Sequence, residues 1–485
     1  MYERGAKEKF YITTPIYYVN DRPHIGHAYT TIVADVLARY ARAAKKDVVF
    51  LAGTDENSQK TVEAALKAKE EIKSYADRLA AIWNSTWETL GITNTDFIRT
   101  TEERHVKTVT EMWRRIWEKG DIYKGTYKGL YCVGCEEFKK ESDLIDGLCP
   151  DHKTKPEYIE EQNYFFKLSK YQKDLLKFYE SNPNFIIPAG RFSEVKKFVS
   201  EGLEDISISR EGKNWGIPVP NDPTHVVYVW FDALINYISA IGIEEWKKHP
   251  ADLHVIGKNI TRFHAVIWPA MLWSLELPLP KGIIANGFFT IDGVKISKSL
   301  GNAVDPIKLG EKYGFDALRY FLLREIPFGE DGDFSYEKFD ERYVSDLANG
   351  LGNLTARTLT LAEKYWFFVE GGTIDTEVQL KIDSIKKETI EAMEYFKFHN
   401  ALTSIWELIA FGNTYLQEKK PWEPGATDAS RTIFSMVVLL GNVAALIAPF
   451  LPSASKKIAE SITWDDSGTL RVKKPKILFP RMDGN

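Results

Sequence analysis

The chain has 485 residues, long enough for a large core and for about three domains. Its apolar fraction of 44% and charged fraction of 27% are those of a globular protein and exclude a disordered chain. A formal net charge of −5 gives no global attraction to polyanions, so a nucleic-acid partner must be met by local basic patches.

Met1 to Lys9 is polar and charged and runs straight into an extended segment, so no secretory leader is expected. That segment, Phe10 to Pro15, is followed by Pro23-His24-Ile25-Gly26-His27 and by a helix in which Ile32, Val33, Val36, Leu37 and Tyr40 recur at helical spacing. A helix N-terminus after a strand offers unpaired N–H groups and a positive dipole end to an anion. Gly26 lets a ligand approach the backbone, and His24 and His27 fall on one side of the turn as donors. Histidines this close also occur as packing or surface pairs, and these residues alone leave both readings open.

Val48 to Asn57 reads as an apolar strand ending in a polar loop, Gly53-Thr54-Asp55-Glu56-Asn57, and ligands of open α/β sheets bind beyond such strand ends. Two amphipathic helices follow, one with Tyr75, Leu79, Ile82, Trp83 and Trp87, the other with Val106, Val109, Met112, Trp113, Ile116 and Trp117. Both stripes read as core.

At Asp121 the pattern changes to short extended pieces. Within them Cys132-Val133-Gly134-Cys135 and Cys149-Pro150-Asp151-His152 form two knuckles whose three thiolates and one imidazole suit a closed, tetrahedral, structural zinc site, one ion per chain. The alternative is three unrelated thiols and a surface histidine, which leaves unexplained why the whole cysteine complement falls at ligand spacing. No disulfide framework is implied, and a cytoplasmic protein is expected.

Sheet-and-helix pattern returns at His225 to Leu234, Asp252 to Lys258, a helix over Arg262 to Leu275 and a strand over Gly282 to Thr290, so the stretch from Asp121 to about Pro223 splits one α/β domain. Lys295-Ile296-Ser297-Lys298-Ser299-Leu300-Gly301-Asn302 then forms a cationic loop before a helix near Asp305-Pro306. Taken alone the motif is weak, because a Lys/Ser loop is usually just solvated, and neutralising phosphates is the less common reading. Beyond Phe328 the chain reads as helices through Leu347, Leu351 and Leu354, then Ala401 to Leu416, then Ile433 to Leu451. The apolar run Phe434 to Leu451 contains Gly441, Asn442 and Pro449 and falls short of the roughly 20 apolar residues of a spanning helix, so a buried bundle helix and no membrane are expected.

His24-Ile25-Gly26-His27 and Lys295-Ile296-Ser297-Lys298-Ser299, in that order and flanking a split α/β domain, resemble the HIGH and KMSKS signatures of class I aminoacyl-tRNA synthetases. With Thr13 to Asn20, Gly53 to Glu56, the cysteine knuckles, Trp215 to Pro218, Tyr228 to Ala233, and Ile256 to Lys258 with Phe263-His264, the chain is similar over nearly all its length to the methionyl-tRNA synthetase family.

The resemblance implies a Rossmann-like doubly wound parallel sheet split by a zinc-binding insertion and followed by an all-α bundle. The implied divisions are 1–120 and 223–290 for the two catalytic halves, 121–222 for the insertion, 291–345 for the KMSKS loop and stem-contact region, and 346–485 for the anticodon-binding bundle. It implies two steps: the methionine carboxylate attacks the α-phosphate of ATP, and the terminal ribose hydroxyl of tRNA(Met), initiator included, attacks the resulting adenylate. The resemblance assigns catalysis to His24, His27, Lys295 and Lys298, with Gly26, Gly257, Asn259 and Ser297 also binding ATP and Mg²⁺ sharing the phosphate charge. Ile16, Tyr18, Trp230, Ala233, Leu234, Tyr237, Ile260 and His264 are the implied methionine pocket, with Asp55 on the ammonium. Asn353, Arg357, Pro421 and Trp422 are the implied anticodon readers; on residues alone, the first pair is also an ordinary helix-surface pair and Trp422 a partly buried core residue.

Departures from the family pattern are Asn57-Ser58 where His-Gly is usual, Asn259 for Asp, Asn286 for His, and Ile296 for the signature's methionine, a volume-conserving change. No appended dimerisation module is recognised, so a monomer is expected. The insertion leaves no evident room for an editing domain, which argues against the isoleucine, valine and leucine enzymes.

Overall fold

A computed structural model describes residues 7–481 except 135–136, 151–152, 213, 292, 296–302, 364–373, 427, 465–469 and 474–476. Contacts divide the chain into two compact units, Met1–Pro23 with Ala41–Asn286, and His24–Tyr40 with Gly287–Asn485.

The first unit is built on a six-stranded sheet of β1 (Lys9–Tyr18), β2 (Asp47–Asp55), β3 (Asp96–Arg99), β4 (Ile186–Ile187), β5 (Leu253–Gly257) and β6 (Ile283–Asn286). The order is β3-β2-β1-β5-β6-β4 and every pairing is parallel. Continuous apolar strands suit a sheet covered on both faces, and the order reverses between β1 and β5, where ligands of such sheets bind. Register sets Ile16 opposite Gly53 and Tyr18 opposite Asp55. Gly53 is required sterically, because a Cβ there would lie 2.2 Å from the Ile98 carbonyl oxygen. Helices Ile72–Thr89 and Glu103–Glu118 bury the expected stripes, Trp83, Trp87, Met112 and Trp113 among them, whereas Trp117 is 46% exposed and edge-on to Tyr164.

Between β3 and β5 lie two small antiparallel sheets, one of Ile122–Cys132, Glu137–Lys139, Glu157–Phe166 and Ile206–Ser207, the other of Ser209–Glu211, Pro218–Val219 and Asp222–Val227. The same stretch also supplies β4, the outer strand of the main sheet. A two-residue strand has no period to read, so sequence could not place it. Three further segments resolve more finely than expected. His225 to Leu234 divides into the strand Asp222–Val227 and a helix Val229–Leu234, and Gly282 to Thr290 divides into β6 and Phe289–Ile291, which belong to different sheets. Arg262 to Leu275 opens with a π-helical turn, Phe263–Ile267, before the α-helix Trp268–Ser274.

The second unit contains α1 (Ile25–Ala43) up to Tyr40, α2 (Pro306–Tyr313), α3 (Phe315–Arg324), α4 (Asn353–Glu363), α5 (Thr376–Glu394), α6 (Phe398–Lys419), α7 (Ala429–Ile447) and α8 (Pro452–Ser461). Phe289–Ile291 pairs with Val294–Lys295 and Gly332–Phe334 in a three-stranded sheet, and a π-helical segment, Tyr343–Gly352, leads into α4. By length and composition α7 could cross a membrane, with mean hydropathy 1.7. Its Ile433, Met436, Leu440, Val443 and Ile447 are instead buried in the bundle, against α4, α5, α6 and α8.

Candidate functional site

In the first unit, six of the expected pocket residues share one hydrophobic cluster. Leu234 and Tyr237 are buried within it, and Ile16, Tyr18, Trp230 and Ile260 pack against it partly exposed. Ala233 is buried on the same short helix as Trp230. Trp230 stacks on Phe263 at 3.9 Å between centroids and 8° between planes. Phe263 begins the π-helical turn that also carries His264. Sequence reasoning did not single it out for the pocket, and only its position beside His264 hinted at it.

His264 Nδ1 lies 3.0 Å from the Ile260 carbonyl, which can only accept, so Nδ1 carries the proton and Nε2 accepts from the Tyr237 hydroxyl at 2.7 Å. Burial holds this imidazole neutral, pushing its pKa from 6.5 down to about 4, and raises the Tyr237 phenol. Beneath them Thr13 hydrogen-bonds His254 Nδ1 at 2.7 Å, and burial lowers the His254 pKa well below its usual value. A histidine depressed in the folded state contributes stability that is complete above the unfolded value and lost as pH falls. Acid titration of stability should therefore show His264 alone removing about 3 kcal/mol between pH 6.5 and 4. Denaturant unfolding of the wild type and His264→Gln across that range checks it; parallel curves refute it.

At the end of β2 the carboxylates diverge in environment. Asp55 is buried at the strand's C-terminus, where its Oδ1 accepts from the Asn57 N–H at 3.3 Å. Glu56 is fully buried and structural: Arg99 binds it through two bonds of 2.7 and 3.0 Å, and Thr54 and Thr101 add hydroxyl donors at 2.9 and 2.5 Å. Asn57, where the family pattern differs, donates to Asp232 Oδ2 at 2.7 Å and to the Thr100 carbonyl at 3.3 Å. The other oxygen of Asp232 meets His105 Nε2 at 2.5 Å, and His105 Nδ1 meets Ser239 at 2.9 Å. This chain of groups, buried except for the half-buried Asn57, braces the helix that carries Trp230. Its members are too far apart in sequence for any motif to join them. Gly257 ends β5, Asn259 is exposed in the turn after it, and Asn286 is buried at the end of β6.

In the second unit, the turn before α1 is organised by its histidines. The His24 N–H donates to His27 Nδ1 at 3.2 Å and the Gly26 N–H to His24 Nδ1 at 3.1 Å. Each neutral ring therefore carries its proton on Nε2, as a donor, and the rings lie 3.7 Å apart. The Ile25 N–H donates to the Val304 carbonyl at 3.0 Å, and Tyr29 meets Phe289 edge-on at 5.1 Å. The turn and α1 thus touch Val304 and Phe289, described residues on either side of the lysine stretch. Lys295 pairs through its backbone with Thr290. Ser297 and Lys298 lie outside the described residues. Asp333 anchors the hairpin before them, accepting from Thr290 Oγ1 at 2.6 Å and Gly293 N at 2.8 Å, bonds that lower its pKa.

Asn353 opens α4 and Arg357 follows one turn later; Asn353 donates to Asn413 Oδ1 at 2.9 Å and Arg357 to Gln417 Oε1 at 3.2 Å. The Arg357 guanidinium sits 5.2 Å from the centroid of Trp422, which is 42% exposed, while Pro421 is buried. Asn413 and Gln417, on α6, were not singled out from sequence, and they sit four apart as Asn353 and Arg357 do. Trp422→Ala should lower tRNA charging about tenfold, the loss of one stacked base, and leave methionine-dependent pyrophosphate exchange intact. Parallel loss of exchange would make Trp422 a folding residue instead.

Of the expected metal ligands, Cys132 and Cys149 are buried, and Cys135 and His152 lie outside the described residues. Cys149 opens a tight turn, its N–H donating to the Thr154 carbonyl at 2.9 Å and its carbonyl accepting from Lys153 N at 2.8 Å.

Comparison with known proteins identifies the family. The family model for class I tRNA synthetases (M) matches residues 10–156 and 141–359, and that for the anticodon binding domain of methionyl tRNA ligase matches 370–477. Methionine--tRNA ligase of Thermotoga maritima is 47% identical over 94% of this chain and 76% of its own length, and that of Caldanaerobacter subterraneus 45% over 98% and 79%. The structure of Mycobacterium tuberculosis methionyl-tRNA synthetase in complex with methionyl-adenylate superposes with a TM-score of 0.93, at 39% identity, covering 98% of this chain and all of that one. On fold, on both family models and on identity over nearly all of its own length, the chain belongs to the methionyl-tRNA synthetase family.

Proposed function

We propose that this chain ligates L-methionine to tRNA(Met), initiator included, through a methionyl-adenylate. The observation that carries the reading is the bond from the Ile25 N–H to the Val304 carbonyl, which ties the turn of His24 and His27 to the segment entering α2. A relative seen with methionyl-adenylate supports the intermediate.

The methionine carboxylate is already ionised, so no protein base is needed. One of its oxygens forms a bond to the α-phosphorus, the bond to the bridging oxygen breaks, and pyrophosphate leaves. The protein then has to position the reactants and stabilise charge growing on the phosphate oxygens. His24 and His27 serve through Nε2–H and Gly26 through close backbone approach, with Lys295, Ser297 and Lys298 supplying donors and positive charge from the loop. Gly257 and Asn259 contact the nucleotide. Mg²⁺ bound with ATP would neutralise further phosphate charge. Asp55 holds the methionine ammonium, and the thioether lies among Ile16, Tyr18, Trp230, Ala233, Leu234, Tyr237, Ile260 and His264, where sulfur–aromatic contacts contribute about 0.3–1.5 kcal/mol. In the second step the terminal ribose hydroxyl attacks the acyl carbon and AMP leaves. Asn353, Arg357 and Trp422, over Pro421, read the anticodon by stacking and edge hydrogen bonds.

Three thiolates and one imidazole, from Cys132, Cys135, Cys149 and His152, would hold a structural zinc ion. The burial of both described cysteines and the bonds of Cys149 to Thr154 and Lys153 fit that donor set. Metal analysis should find one zinc per chain, absent from Cys149→Ser together with a lowered melting temperature; a metal-free wild type refutes the site. Cysteines at metal-ligand spacing also suit a reducing cytoplasm, where we take the protein to act as a monomer.

The deciding measurement is ATP–pyrophosphate exchange run against all twenty amino acids. Exchange with methionine alone supports both the pocket and the phosphate assignments, and exchange with another amino acid overturns the pocket.

A further inference from the structure

Helix α3 presents three anchoring points, Asp316, Arg319 and Tyr320, to the rest of its unit. Asp316 accepts from the Ser453 and Ala454 N–H groups at 3.3 and 2.6 Å, at the start of α8. Arg319 donates from Nε to the Phe450 carbonyl at 2.7 Å and from Nη2 to the Pro449 carbonyl at 3.0 Å. The same Nη2 lies 2.7 Å from Asp35 Oδ2, in the middle of α1. Tyr320 donates to Asp346 Oδ2 at 2.8 Å, within the π-helical segment that leads to Asn353.

Asp35 and Arg319 have side-chain exposures of 0% and 2%. Asp35 also takes Arg39 Nε at 2.7 Å, so one buried carboxylate serves two guanidinium groups. Buried ion pairs are poor sources of stability, because desolvation offsets attraction and apolar replacements of equal volume are often as stable or more so. What such a pair does supply is geometry. A planar fork bonded at once to a carboxylate on α1 and to two carbonyls after α7 admits one axial position of α1. An apolar contact tolerates sliding. Asp35 follows His27 by eight residues, about 12 Å along the helix, so the position of this pair is carried rigidly to the histidine turn.

We propose that Arg319, through Asp35, is a positioning residue for adenylate formation: it fixes α1 along its axis so that His24 and His27 meet the phosphates. The proposal rests on the assignment of those histidines to ATP. A wild-type rate in His27→Ala would sink that assignment, whereas the variants below bear on Arg319 alone.

The test separates the number of competent sites from the speed of each. Burst amplitude counts active sites, single-turnover formation of methionyl-adenylate gives the rate constant, and melting temperature reports stability. In the double variant Asp35→Leu with Arg319→Met, an apolar pair replaces the ionic one. Amplitude should match wild type, the melting temperature should fall because the Phe450 and Pro449 carbonyls and the Arg39 guanidinium lose their partner, the rate constant should fall tenfold or more, and the methionine KM should stay within twofold. Recovery of the rate constant along with amplitude overturns the proposal. Arg319→Lys keeps the positive charge beside Asp35 but lacks the fork that spans both partners, and covers the case in which the double variant does not fold. It should show full amplitude with a rate constant lowered three- to tenfold. Reduced amplitude at an unchanged rate constant would make the pair a stability device only.

Discussion

Replacing His27 with alanine lowers the rate constant of methionyl-adenylate formation by about 10²–10³-fold, the loss expected when one donor to a developing oxyanion is removed. Its ring does two things in the structure. Nδ1 accepts the His24 N–H, and this directs the proton to Nε2. The variant therefore loses a phosphate donor and also leaves a backbone N–H at the helix entry to water. His24→Ala should cost a similar factor, because its Nδ1 holds the Gly26 N–H in the same way. Methionine affinity should be unaffected, since none of the residues assigned to the pocket lies on the histidine turn. Pre-steady-state measurement of adenylate formation, with methionine binding followed by intrinsic tryptophan fluorescence, separates the two effects. Equal losses in both would mean that the turn supports the fold rather than the phosphates.

Asp55→Ala raises the methionine KM about 30- to 1000-fold, corresponding to about 2–4 kcal/mol for removing one partner of a desolvated charge pair. The neighbouring carboxylate provides the control. Glu56 is engaged by Arg99, Thr54 and Thr101, so Glu56→Gln should lower the melting temperature while changing the methionine KM little. Steady-state exchange kinetics on both variants decide the matter. A large KM effect at Glu56 and a small one at Asp55 would reverse the roles given to the two.

Local pattern carried the reading of this chain a long way. Helical spacing located α1 and the two tryptophan-rich helices, and an apolar strand followed by a polar loop placed Asp55 at a strand end. What escaped is what depends on distant partners. Phe263 stacks on Trp230, Asn57 reaches Asp232, and Arg319 spans Asp35 and Phe450; none of these pairs leaves a periodic or compositional trace. The sheet's outer strand, Ile186–Ile187, was missed for a different reason: it is shorter than the period that would announce it. Asn57 shows the gap most plainly. As a departure from a family pattern it was noticeable, but its hydrogen bonds became visible only when residues far apart in sequence were placed side by side.

The strand order has a consequence for how the chain emerges from a ribosome. β1, at residues Lys9–Tyr18, has one neighbour, β2, available almost at once, while its other neighbour, β5, begins at Leu253. At about 5–20 residues per second, translation leaves that side of β1 without its partner for about 12–50 s. During that interval the nascent polypeptide holds an unsatisfied row of peptide groups beside the strand that will carry Ile16 and Tyr18, and such rows invite pairing with other chains. The two antiparallel sheets between β3 and β5 are made in the same interval. Their hairpin contacts are local, so they can form while the main sheet waits for its centre to be synthesised.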